Sequence, residues 1–244
     1  VITSTSATVC AGSPATLTGS GGDTYVWSTG DSTVTMTASP INTTTYTVTG
    51  TKDGCYSSGT GKITTNVAPI LTATSATICI GQSATLTVSG ADTYTWSAGN
   101  NGTSMTASPT VTTVYTIHGN TAGITCVGTT TATITVNPLP IVTSTSTSIC
   151  QGQGPAGTIT ASGASTYSWN TGETSISISK APLNTTTYTV TGTSIYGCVG
   201  QGTGTIYVNP LPVVTSTSKT ICAGVTTTLT ASGADTYSWA NGIN

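Results

Sequence analysis

The sequence predicts an all-β protein, built as a row of small antiparallel β-sandwiches. Three observations carry this. A pattern of about 70 residues recurs along the 244-residue chain. Strand-forming Thr, Val, Ile, Tyr and Trp alternate with a period of two. No stretch repeats its apolar residues at helical spacing.

Four copies open alike, at Ala7-Thr-Val-Cys10, Ala76-Thr-Ile-Cys79, Thr147-Ser-Ile-Cys150 and Lys219-Thr-Ile-Cys222. These cysteines follow one another at 69, 71 and 72 residues, and the tryptophans Trp27, Trp96, Trp169 and Trp239 at 69, 73 and 70. That period is too long for a solenoid rung and suits a small autonomous domain. The expected repeats are 1–68, 69–139, 140–211 and an N-terminal half repeat at 212–244.

Within each copy a Leu or Ile precedes a Gly-rich turn, and Tyr-x-Trp follows. Gly-Asp, Gly-Asn-Asn-Gly or Gly-Glu after the Trp marks a hairpin turn. In Thr43–Thr49, Tyr46 and Val48 share one face and threonines the other, the signature of a strand with one buried side. Ile63 and Val67, and Ile134 and Val136, fit the same template. Tyr115 and Tyr188 take the place of Tyr46 in the next two copies. The four tryptophans and these three tyrosines are therefore expected in the cores, one indole at the centre of each sandwich. Six or seven short strands per copy are expected.

Domains this small bury little, so a covalent staple is expected. Each complete copy has a second cysteine: Cys55, Cys126 and Cys198. The spacings of 45, 47 and 48 residues within a copy suggest the pairs Cys10–Cys55, Cys79–Cys126 and Cys150–Cys198. The constant 24-residue gap from each second cysteine to the next first one would equally suit a bridge across the linker. Cys222 would find its partner beyond Asn244, so the polypeptide is expected to continue as part of a longer exported protein. Disulfides imply an oxidising, extracellular setting. The junctions Asn66-Val-Ala-Pro69, Asn137-Pro-Leu-Pro140 and Asn209-Pro-Leu-Pro212 read as short, stiff joints.

Composition excludes several functions. Only 4% of residues are charged, with four Lys and no Arg, and about a quarter are Thr. Nucleic-acid binding needs clustered cations, so none is expected. No apolar run approaches the length of a membrane helix, so no membrane insertion is expected. His118 is the single histidine and stands where other copies carry Thr49 and Thr191. Without a base and an orienting acid, the many serines are not activated nucleophiles. No catalytic, cofactor or metal residues are assigned, and the chain is expected not to be an enzyme. Asp23, Asp92 and Asp235, with Ser165 in their place in the third copy, suit a turn that bonds its own backbone. Asn42, Asn101 and Asn184 head Asn-x-Thr triplets and are candidate glycosylation sites, as is Ser32.

The order Ile-Cys-x-Gly, Thr-Leu-Thr-Ala-Ser-Gly-Ala, Thr-Tyr-Ser-Trp, Thr-Thr-Thr-Tyr-Thr-Val-Thr-Gly-Thr, Gly-Cys and Val-Asn-Pro-Leu-Pro resembles the tandem immunoglobulin-like (Ig-like) and PKD-like repeats of Bacteroidetes surface proteins. The resemblance covers the whole chain, with departures at Gly19–Gly22, at Asn66–Pro69 and at Gln153–Gly157. It implies an extracellular, cell-associated spacer within large gliding-motility or other adhesins, delivered by type IX secretion. It carries over no catalytic residues. A strict immunoglobulin strand order would put the two cysteines of a copy at opposite ends of its sandwich, which leaves open a short or kinked first strand or a different topology. Expected partners are copies of the chain in a fibre, surface glycans or other cell-surface proteins. The competing readings are a stalk, a glycan- or surface-gripping adhesin, and a filament in which another chain's strands complete the half repeat.

Overall fold

A computed structural model describes residues 1–240, so the last four positions of the fourth repeat lie outside the described residues. The chain forms two compact units, Val1–Asn137 and Pro138–Asn244. Every element is a β-strand.

The first unit holds two sandwiches of the same plan. In the first, β1 (Thr3–Ser4), β3 (Ala15–Ser20) and β5 (Thr35–Ala38) form one sheet in the order β1-β3-β5. The other sheet is β2-β7-β6-β4, from β2 (Ala7–Cys10), β4 (Thr24–Trp27), β6 (Thr44–Lys52) and β7 (Cys55–Asn66). The second repeats this with β8 (Thr72–Ala73), β9 (Ala76–Cys79), β10 (Ala84–Ser89), β11 (Thr93–Trp96), β12 (Ser104–Ala107), β13 (Thr113–Asn120) and β14 (Gly128–Asn137). All pairings are antiparallel except β2 with β7 and β9 with β14. Two sheets with a first strand divided between them, its second part parallel to the last strand, form an Ig-like sandwich.

The division of that first strand resolves the topology left open by the sequence, and two residues make it. Thr5 stays with the first sheet: its N–H donates to Thr18 O, and its hydroxyl accepts from Thr18 N. Ser6 belongs to the second sheet, its hydroxyl accepting from Lys62 N at 3.2 Å. Thr74 and Ser75 repeat the switch, with Ser75 Oγ 3.0 Å from Thr133 N. Side-chain hydroxyls thus satisfy backbone groups where the ladder changes partner.

A hairpin was expected after each Trp strand, and here the structure differs. Gly30 N bonds back to Trp27 O, so the turn is present. Yet β4 pairs with β6, while β5 crosses to pair with β3. Trp27 lies at the centre of a core with Leu17, Met36, Val48 and Ile63, and β5 must cross to cover it with Met36. Val67 lies past the end of β7 and is exposed, unlike Ile63. The second core gathers Leu86, Trp96, Met105, Tyr115, Ile117 and Ile134. Gly90 closes the turn before Tyr94 at φ +108°, with Ile70 O where a Cβ would sit, a position open only to glycine.

The second unit contains a third sandwich of the same order: β15 (Thr143–Ser144), β16 (Thr147–Cys150), β17 (Gly157–Ser162), β18 (Thr166–Trp169), β19 (Ser177–Lys180), β20 (Thr186–Thr193) and β21 (Val199–Asn209). Ile159, Trp169, Ile178, Tyr188, Val190 and Ile206 form its core. Beyond it, β22 (Thr215–Ser216) pairs with β23 (Ala231–Ser232). That is the counterpart of the pairing between β15 and β17.

Candidate functional site: the cysteine joint

The parallel pairing of β2 with β7 sets Cys10 opposite Asn66, at the end of β7. Cys55 is the first residue of β7. Twelve residues of extended strand separate the two positions, about 36 Å at the usual rise. A disulfide needs Cα atoms within about 7 Å. The expected bond between Cys10 and Cys55 is therefore impossible, because the two thiols stand at opposite poles of one sandwich.

Cys10 instead bonds Cys126 of the second repeat, with Cα atoms 5.5 Å apart and 116 residues between them in sequence. This overturns all three within-copy pairs. Cys126 is taken by Cys10, while Cys55 and Cys150 are free and exposed. With Cys55 free, the bridge across the first linker to Cys79 does not form either. Cys222 is also free and exposed, whereas Cys79 and Cys198 are disulfide-bonded. The observed bond joins the strand end of one repeat to the hairpin region of the next, a combination the spacing did not suggest.

The bonded hairpin differs in shape from the free one. In the first repeat β6 and β7 pair out to Lys52 and Cys55, closed by the two-residue turn Asp53-Gly54 with both φ positive, which suits the twist of a tight hairpin. In the second repeat pairing stops at Gly119 and Gly128, and Cys126 lies buried in the loop between them. Its sulfur is 3.6 Å from Asn66 O, which also accepts the Ala11 N–H. The third repeat opens its hairpin too. Pairing ends at Thr193 and Val199, and Ser194 Oγ accepts from Cys198 N.

The aspartates serve this loop rather than their own turn. Asp92 Oδ2 accepts from Ala122 N at 2.8 Å, and Asp23 Oδ2 from Asp53 N at 3.4 Å. Each carboxylate ties the entry of the Trp strand to the cysteine-bearing connection. In sequence these contacts are 30 residues apart, which local turn chemistry could not reveal.

The aromatic residues occupy two settings. Trp27, Trp96 and Trp169 are 1–2% exposed, and each indole N–H donates to a backbone carbonyl, of Thr33, Gly102 and Ser175 respectively. Tyr115 and Tyr188 are buried and Tyr46 is partly so. Tyr25, Tyr94 and Tyr167 bond back to the residue three before them through both its N–H and its C=O. Trp239 differs, lining an open groove of about 650 Å³ with Leu229, Ala231, Asp235, Thr236 and Tyr237.

His118 is exposed, its Nδ1 3.1 Å from Thr129 Oγ1. Among the described residues no three His, Cys, Asp or Glu side chains gather to hold a metal ion. Asn42, Asn101, Asn184 and Ser32 are exposed. Thr44 and Thr186 turn their hydroxyls onto the Asn42 and Asn184 carbonyls, shaping the turn into the next strand. One ion pair is present among the described residues, Lys180 with Glu173. The hydrogen bond from Lys180, and then that from Thr171, hold the Glu173 carboxyl down at about 2.

No protein-family model matches the chain. No curated protein matches it either. Among solved structures it is similar to the I-band fragment I67–I69 of titin, at 12% identity and a TM-score of 0.37, covering 85% of this chain and 97% of that one. It is also similar to a fragment of a 1.5-MDa bacterial ice-binding adhesin, at 17% identity and 0.39, covering 86% and 98%. An ice-binding adhesin of an Antarctic bacterium matches at 17% and 0.36, covering 88% and 76%. At these identities and scores the fold rests on the strand order and register described above.

Proposed function

We propose that this chain is a non-catalytic segment of an extracellular surface protein, a stalk of Ig-like repeats at 1–68, 69–139 and 140–211 with a half repeat at 212–244. The observation that carries the reading is the bond from Cys10 to Cys126. A staple inside a domain would protect that domain alone. A staple between domains restrains the joint, and tension along the array then passes through a covalent bond beside the Asn66–Pro69 linker. That is a requirement of a spacer and of little use to an enzyme. Disulfides of this kind are made in oxidising compartments, which supports an extracellular location. Threonine hydroxyls paired across strands, as at Thr16 with Thr37 and Thr85 with Thr106, cover the outer face without titratable charge.

The sequence resemblance supports placing the chain among Bacteroidetes-type adhesins exported by type IX secretion. Retention of the full protein inside cells lacking that pathway tests the assignment. The stalk itself is tested by small-angle scattering of the whole chain with and without reductant. Reduction should broaden the distribution of maximum dimensions; an unchanged distribution would count against a load-bearing joint.

A second reading is favoured by the groove at Leu229 and Trp239: strands of a second chain fill it and the protein polymerises. Sedimentation velocity at rising concentration separates the two, since a stalk segment stays monomeric. Gripping of glycans by the repeats would appear as saturable binding on a glycan array, and the three buried indoles offer it no stacking surface.

A further inference from the structure

The pattern of bonded and free thiols follows a rule stated by the one bridge whose geometry is described: the first cysteine of a repeat bonds the second cysteine of the repeat after it. Cys10 and Cys126 obey it. Cys150 is a first cysteine, on β16 beside Asn209 just as Cys10 lies beside Asn66. It is free and exposed, and under the rule its partner is the second cysteine of a fourth repeat. The described half repeat ends before such a cysteine would occur.

A second, independent observation marks the same place. Leu229 stands seven residues after Cys222, as Leu17 follows Cys10 and Leu86 follows Cys79. Leu17 and Leu86 are fully buried, while Leu229 is 42% exposed and lines the groove with Trp239. Thr217 makes the strand-switch bonds to Thr230, and Tyr237 accepts from Ala234 N as its counterparts do. The half repeat is thus set up as the first part of a sandwich, with its inner face uncovered.

We propose that Cys150 and the groove over Leu229, Ala231, Tyr237 and Trp239 form one docking surface for the C-terminal half of an Ig-like repeat, a set of strands like β12 to β14, whose hairpin cysteine bonds Cys150. The apolar face of those strands covers the groove, and the hairpin reaches back to the preceding repeat as Cys126 reaches Cys10. Bond formation removes two electrons and two protons from the two thiols. A disulfide oxidant such as oxidised glutathione accepts them and leaves as two thiols. The inference rests on the register of the bridge and not on the stalk reading, so either can fail alone.

The test extends the whole chain after Trp239 with a copy of residues 97–137, which carries the counterpart of Cys126. Both the original and the extended chain are oxidised with a glutathione redox pair, free thiols are blocked with maleimide, and peptides are mapped without reduction. In the original chain Cys55, Cys150 and Cys222 should carry maleimide. In the extended chain Cys150 should lose its label and appear linked to the added cysteine, with Cys55 and Cys222 still labelled. A link from the added cysteine to Cys222, or a labelled Cys150, overturns the proposal. Adding Cys222→Ser to the extended chain removes the rival thiol, and a labelled Cys150 there overturns it as well. Covalent dimers of the original chain through Cys150 would show that a second copy is the occupant, which also overturns it.

Discussion

Trp96 shows how much a single side chain contributes in so small a core. It is buried against Leu86, Met105 and Ile117, and its indole N–H is satisfied by Gly102 O, so the ring fills space without leaving a polar atom unpaired. Trp96→Ala should cost about 3–5 kcal/mol, read as a fall in the urea midpoint of the second sandwich. Glu173 offers a different residue-scale prediction. Its carboxyl sits at about 2 instead of 4.5 because Lys180 and then Thr171 donate to it. A depressed folded pKa contributes stability that is present above the ordinary carboxylate range and fades as pH falls from about 4.5 towards 2. The group is solvent-facing, so the effect is expected to be small. Lys180→Met should return the Glu173 midpoint towards the ordinary value in an NMR titration, and an unmoved midpoint would contradict the assigned cause.

At the scale of the element, the divided first strand is the decisive feature. Ser75 holds it to the second sheet through Thr133 N. Ser75→Ala leaves that N–H without its acceptor, and the expected loss is about 1 kcal/mol in equilibrium unfolding. Gly90 fixes the turn that starts β11. Gly90→Val would place a Cβ 2.1 Å from Ile70 O at a φ that L-residues rarely adopt. Its expected cost exceeds about 2 kcal/mol, visible as a lower thermal midpoint. The strands themselves could be recognised from alternation, because a period of two is a local property. Their partners could not. Trp27 and Met36 read as two arms of a hairpin, yet they reach the same core from different sheets, since covering an indole needs a residue from the facing layer.

For the molecule as a whole, the joint between the first two repeats is the feature to perturb. Cys10→Ser and Cys126→Ser remove the same bond, so each should give the same change in scattering as reduction. Their effects should not add in the double variant. If Cys10→Ser frees Cys126 to bond Cys79 instead, non-reducing maps will show it, and the joint would then be exchangeable.

The chain alone determined the repeats, the sandwich class and the buried Trp and Tyr positions, because each follows from spacing and alternation within one copy. It left the cysteine pairs undecided, since spacings of 45 to 48 and of 24 residues recur equally well. Tertiary structure settled that question through one parallel pairing. By laying β2 along β7 in the same direction, it carries Cys10 to the pole far from Cys55 and next to the loop of the following repeat. Which residues lie close across a joint depends on where strands end in space, and no count along the chain holds that information.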